Sequence, residues 1–125
     1  MPKPSLSLAE HQAIAERIRG LVGAQRQDLS AAAVRLGVDE VSLRASIDPD
    51  APHLPLGVVL AIIREYAVDP MWLLSGEYDL ATHRWAIAGN GDITGSDLRE
   101  LSRGRTTPSG IPVVDLIPDD NLRTR

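Results

Sequence analysis

The stretch Asp28-Leu29-Ser30-Ala31-Ala32-Ala33-Val34-Arg35-Leu36-Gly37-Val38-Asp39-Glu40-Val41-Ser42-Leu43 constrains this chain more than any other. It reads as a short helix, a glycine turn and a second short helix. Asp28 and Asp39 are suited to N-cap positions, where a side-chain oxygen accepts the orphan amides of a first helical turn. Gly37 supplies the positive φ that a tight exit from a helix needs. Ala33, four residues earlier, is small enough for two helices to cross closely. Leu43 lies one and a half turns beyond Val38, where the second helix must face inward.

Further elements follow from the same local signals. Residues 1–7 read as a proline-bearing arm. Helix 1 is expected from Leu8 to Val22, with Ser7 and Glu10 as a capping box and Ile14, Ile18, Leu21 and Val22 as its inner stripe. Helix 2 starts after Asp28 and ends at Leu36. Helix 3 follows Asp39 and runs to about Ile47. The proline-rich run 48–52 reads as a loop. Helix 4 spans Leu56 to Ala67, and Pro70 opens helix 5 in its first turn. Beyond Tyr78 the pattern changes. Asn90-Gly91 between short apolar flanks signals a hairpin. Asp97 to Arg103 suits one or two helical turns, capped by Ser96 and ended by Gly104, and 102–110 reads as a polar linker. Ile111 to Ile117 reads as a short strand, with Pro112 favouring an edge. Such a strand pairs with Trp85–Ala88, pairs with its copy in a second chain, or stays unpaired.

Composition narrows the function classes. At 43% apolar residues the chain can supply a core, built on Leu, Ile, Val and Ala because Phe is absent. With no Cys there is no disulfide or thiolate metal site. No apolar run reaches the ~20 residues of a membrane span, and the N-terminus has no signal-peptide core, so a cytoplasmic location is expected. The formal charge of −4 sits in residues 1–79, with seven Lys/Arg against eleven Asp/Glu; residues 80–125 hold six of each. Phosphate contacts need cations, so a DNA-binding chain of this charge must cluster its cations on one face.

The turn Leu36-Gly37-Val38 and the later run Val68-Asp69-Pro70-Met71-Trp72-Leu73-Leu74 together carry a resemblance. From about Ile14 to Tyr78 the chain resembles the five-helix DNA-binding domain of the phage Cro and lambda-repressor class, the XRE helix-turn-helix family. The implied fold is all-α, a helix-turn-helix domain over 8–79 with a short β-containing C-terminal appendage over 80–125. The implied function is a sequence-specific DNA-binding transcriptional regulator of repressor type. It would act as a homodimer, with helix 3 in the major groove of duplex DNA. Aligning Gly37 with the family's turn glycine puts Asp39, Glu40, Val41, Arg44 and Ala45 outward, with Ser42 on the flank. Arg44 is the best base reader, because a guanidinium pairs bidentately with guanine. Ser42 can donate to phosphate or a base edge, Glu40 can accept from cytosine N4, and Ala45 can touch a thymine methyl. Arg26, Arg35 and Arg19 are candidate phosphate contacts. The chain departs from the family at Leu29, where glutamine is common, and at Ser46, where a large apolar residue is usual.

Helix 4 carries two apolar stripes. Leu56, Val59, Leu60 and Ile63 form one; Val58, Ile62 and Tyr66 form another. The second stripe, joined by Met71, is the expected dimer interface, unless both stripes are buried within one chain. A reading from a different class is a protein-interaction module, antitoxin-like or phage-encoded, that keeps the fold without its DNA face; Asp39, Glu40, the net charge and the second apolar stripe of helix 4 favour it. Catalytic, cofactor and metal motifs are absent. His11, His53 and His83 have no paired spacing. Asn90 to Gly95 echoes a calcium loop, but Leu101 occupies the position of its twelfth, bidentate ligand.

Overall fold

The computed structural model describes residues 4–24, 28–50, 52–88 and 93–118, with side chains from Ala9 onward. Among these residues the chain is all helical. The helices are α1 (Pro4–Ala24), α2 (Leu29–Leu36), α3 (Glu40–Ser46), α4 (Leu56–Tyr66), α5 (Pro70–Ser75), α6 (Leu80–Ile87) and α7 (Gly95–Ser102), followed by a 3-10 turn at Val113–Leu116. No helix among them is long and apolar enough to cross a membrane.

Local chemistry sets both ends of α2 and the start of α3 where the sequence placed them. The Asp28 carboxylate accepts from Ala31 N–H at 2.8 Å and that of Asp39 from Ser42 N–H at 3.1 Å. Gly37 takes φ 74°, and its N–H and that of Val38 close on Ala33 O at 2.9 and 3.0 Å. The Arg64 guanidinium donates to Leu36 O at 3.1 Å, satisfying a second terminal carbonyl of α2. α1 begins inside the segment read as an arm, because proline is tolerated in a first helical turn. Ser7 therefore lies inside the helix rather than at its N-cap position.

Ser46, the departure from an apolar position, is fully buried. Its hydroxyl lies 2.8 Å from Ser42 O and 3.0 Å from His53 O, and so ties the loop after α3 back onto the helix. Val58, Ile62 and Met71, the core of the expected dimer stripe, are buried in the chain's own interior, while Tyr66 is partly buried. They cannot form an exposed interface. α4 is enclosed instead: α2 and α3 pack against it, and Gly95 of α7 meets its first turn so closely that a Cβ there would lie 2.8 Å from Leu56 Cδ2.

The β-containing appendage is also corrected. Trp85–Ala88 lies on and just after α6, and Ile111–Ile117 holds the 3-10 turn, whose Val113 and Leu116 are buried together with Ile117. Among the described residues the β pairing is one isolated antiparallel bridge, Thr106 with Pro112. A segment turned into its own core offers no strand to a second chain. The Asn90-Gly91 turn lies outside the described residues. Thr94, rather than Ser96, caps α7, in a reciprocal capping box with Asp97. Leu98, Val113, Leu116 and Ile117 belong to the same apolar cluster as Ile14, Leu43 and Ile62, so the segment 93–118 shares the core of the helices before it.

At the junction between α4, α5 and α6 a polar network forms around two buried residues, Asp69 and Thr82. The buried Asp69 carboxylate accepts from Met71 N–H (3.1 Å), Trp72 N–H (3.2 Å), Asp79 N–H (2.5 Å) and the Thr82 hydroxyl. Asp79 in turn caps α6 through Ala81 and Thr82 and pairs with Arg105. His83 bridges Ala67 O (3.0 Å) and the Tyr78 hydroxyl (2.5 Å). A carbonyl only accepts, so the His83 Nε2 carries a proton towards Ala67 O.

Two outcomes follow. Leu98→Ala is expected to cost about 2–5 kcal/mol in one cooperative denaturant transition followed by far-UV circular dichroism; two separate transitions would contradict the shared core. Gly37→Ala, where no atom lies within 4 Å of the added Cβ, is expected to cost about 1–2 kcal/mol through backbone conformation alone.

Candidate nucleic-acid interface

α3 has an inner side, Leu43 and Ser46, and an outer side that stays open. Asp39 is occupied as the cap and Leu43 as a core anchor, so the helix is fixed in rotation. That rotation exposes Val41 (73%) and Arg44 and leaves Glu40, Ser42 and Ala45 half-exposed. The five residues read from the sequence as base-facing therefore share one short helix, as expected. Val34 on α2 is exposed too, at 82%.

The electrostatics of this face are built around Glu40. Its Oε1 accepts from the Ser30 hydroxyl of α2 at 2.7 Å, and its Oε2 from the Arg44 guanidinium at 2.5 Å. The Ser30 hydrogen bond first, and then Arg44, hold the Glu40 carboxyl below the usual carboxylate range. Arg44 is thus already paired one turn from its own position.

The expected phosphate contacts are dispersed. Arg35 pairs with Glu65 of α4 at 3.1 Å, and Arg19 approaches Glu16 of its own helix at 3.8 Å. Arg26 lies outside the described residues. Exposed pairs of this kind contribute little to stability. Arg17 donates to Leu73 O at 2.8 Å.

The sequence reading missed two features. One is the Ser30–Glu40–Arg44 tie, signalled only by the i,i+4 spacing of Glu40 and Arg44. The other is an open apolar groove of about 510 Å3 at the α4–α5–α6 junction, lined by Leu21, Tyr66, Val68, Trp72, Tyr78 and His83. It gathers three of the chain's four Trp and Tyr residues. The described residues hold no cluster of His and acidic side chains suited to a metal. Where the sequence echoed a calcium loop, Thr94 and Asp97 are committed to the α7 cap.

No family model, no curated protein and no solved structure matches this chain.

The Glu40 tie gives a pH signature. A carboxyl whose folded pKa is lowered contributes stability above its unfolded value, about 4.3 for Glu, and loses that contribution as pH falls through the folded value. Side-chain carboxyl NMR is expected to show Glu40 titrating below that value in the native chain and moving up towards it in Ser30→Ala and in Arg44→Ala.

Proposed function

We propose that this chain is a helix-turn-helix regulator of the XRE type that reads duplex DNA by placing α3 in the major groove. The observation that carries the reading is the α2–turn–α3 unit itself. Two short helices are locked by Asp28, Gly37 and Asp39, with Ala33 and Leu43 buried between them and the core. The outer side of the second helix is left uncovered, and it bears Arg44, Ser42 and Ala45. A helix held rigidly at its base and open along its outer side is what groove entry needs. Arg44 would read guanine, Ser42 a phosphate or base edge, and Ala45 a thymine methyl.

Regulation of repressor type would place one copy on each half-site of a two-fold operator. The surface joining two copies must then differ from Val58, Ile62 and Met71, which lie inside the chain.

A second reading is favoured by a specific observation. Among the described residues Val34 and Val41 are the two most exposed large apolar residues, and they stand on α2 and α3 with Glu40 and the cap Asp39. An apolar and acidic surface suits a protein partner better than a phosphate backbone. Fluorescence anisotropy against the duplex upstream of the chain's own gene, across a salt series, separates the two. DNA reading is expected to give binding that weakens with salt and is lost in Arg44→Ala, with a log–log slope of about −0.9 per phosphate neutralised. Absence of binding at low salt would leave the protein-partner reading.

A further inference from the structure

Glu40 stands where a DNA-facing surface ordinarily excludes a carboxylate, since phosphates repel it. Both of its oxygens are nonetheless engaged, and by different helices. Ser30, on α2, anchors Oε1 at 2.7 Å; Arg44, one turn along α3, binds Oε2 at 2.5 Å. The tie to α2 distinguishes this arrangement from an ordinary i,i+4 surface pair, because it fixes the carboxylate from outside its own helix.

The consequence falls on Arg44. A guanidinium carries five N–H donors in a planar fork, and Glu40 engages it through Nη2 alone. The Arg44 side chain is 61% exposed, so its remaining donors are open to solvent. A planar fork held at one side can present another side to guanine O6 and N7 with less rotamer freedom left to lose. The pair is also close to neutral as a unit. Non-specific DNA affinity comes from cations on phosphates, and a guanidinium whose charge is balanced 2.5 Å away contributes little to it.

We infer that Glu40, anchored by Ser30, is a positioning and specificity residue: it orients Arg44 for guanine and suppresses the attraction of Arg44 to phosphate at unrelated sequences. This rests on the reading of α3 as the groove-entering helix. The ligand class is a major-groove site with a guanine opposite Arg44.

The test is selection of the full chain on a randomised duplex pool, then anisotropy of each variant on the enriched duplex and on a scrambled one at the same salt. The native chain is expected to enrich a guanine-containing site, and Arg44→Ala to lose that guanine. Glu40→Gln is expected to bind the scrambled duplex several-fold more tightly and the enriched one less tightly, because Arg44 loses the contact that orients it. Its specificity ratio should fall about tenfold, within the range of one mismatched base pair. Ser30→Ala, which leaves both charges in place, should shift the ratio the same way by less. A purely structural surface pair would move neither ratio. Equal ratios for Glu40→Gln and the native chain would overturn the inference and leave DNA reading intact. A native chain that enriches nothing and binds neither duplex at low salt would overturn both.

Discussion

The junction of α4, α5 and α6 rests on one buried carboxylate. Asp69 follows the end of α4 and precedes Pro70, so its oxygens face the open amides of α5. The same oxygens receive Asp79 N–H and the Thr82 hydroxyl from the start of α6. A carboxylate removed from water is costly unless it is saturated with donors, and here donors arrive from both helices. Losing either helix would strand the charge. The residues before position 79 and those after it are therefore bound by a polar constraint as well as by the shared apolar cluster. Arg105 adds a third attachment, pairing with Asp79 while its own carbonyl accepts Val113 N–H at 2.9 Å.

The parts of the fold that were legible in the sequence are those decided within a few residues. Asp28, Gly37, Asp39 and Pro70 each act through local backbone geometry, and each marks a helix end in the structure. The parts that were not legible depend on what lies across the core. Ile111–Ile117 has the β-branched composition of a strand, yet Val113, Leu116 and Ile117 stand at i, i+3 and i+4, which is helical spacing. Helix 4 carried two apolar stripes because it is enclosed on several sides, as a helix apolar all round must be. The sequence could not tell a stripe buried within the chain from one awaiting a second chain.

The candidate site divides in the same way. Which residues face outward on α3 follows from two anchors, Asp39 and Leu43, and was readable. How those residues are electrically balanced was not, because the balancing groups come from elsewhere: Ser30 from α2 and Glu65 from α4. A net acidic chain here leaves few cations unopposed among the candidate contacts. DNA reading on such a surface would lean on base contacts more than on the phosphate backbone.

The open side of α3 also sets how fast different parts of this chain can change. Beyond its cap, its buried Leu43 and its buried Ser46, the helix carries side chains that no core contact restrains. Replacements at such surface positions usually alter stability by less than about 0.5 kcal/mol. The network around Asp69, Asp79 and Thr82 has no such latitude, since each member completes the bonding of another. Descendants of this sequence can therefore revise what α3 contacts one residue at a time, while the junction behind it must be inherited as a set.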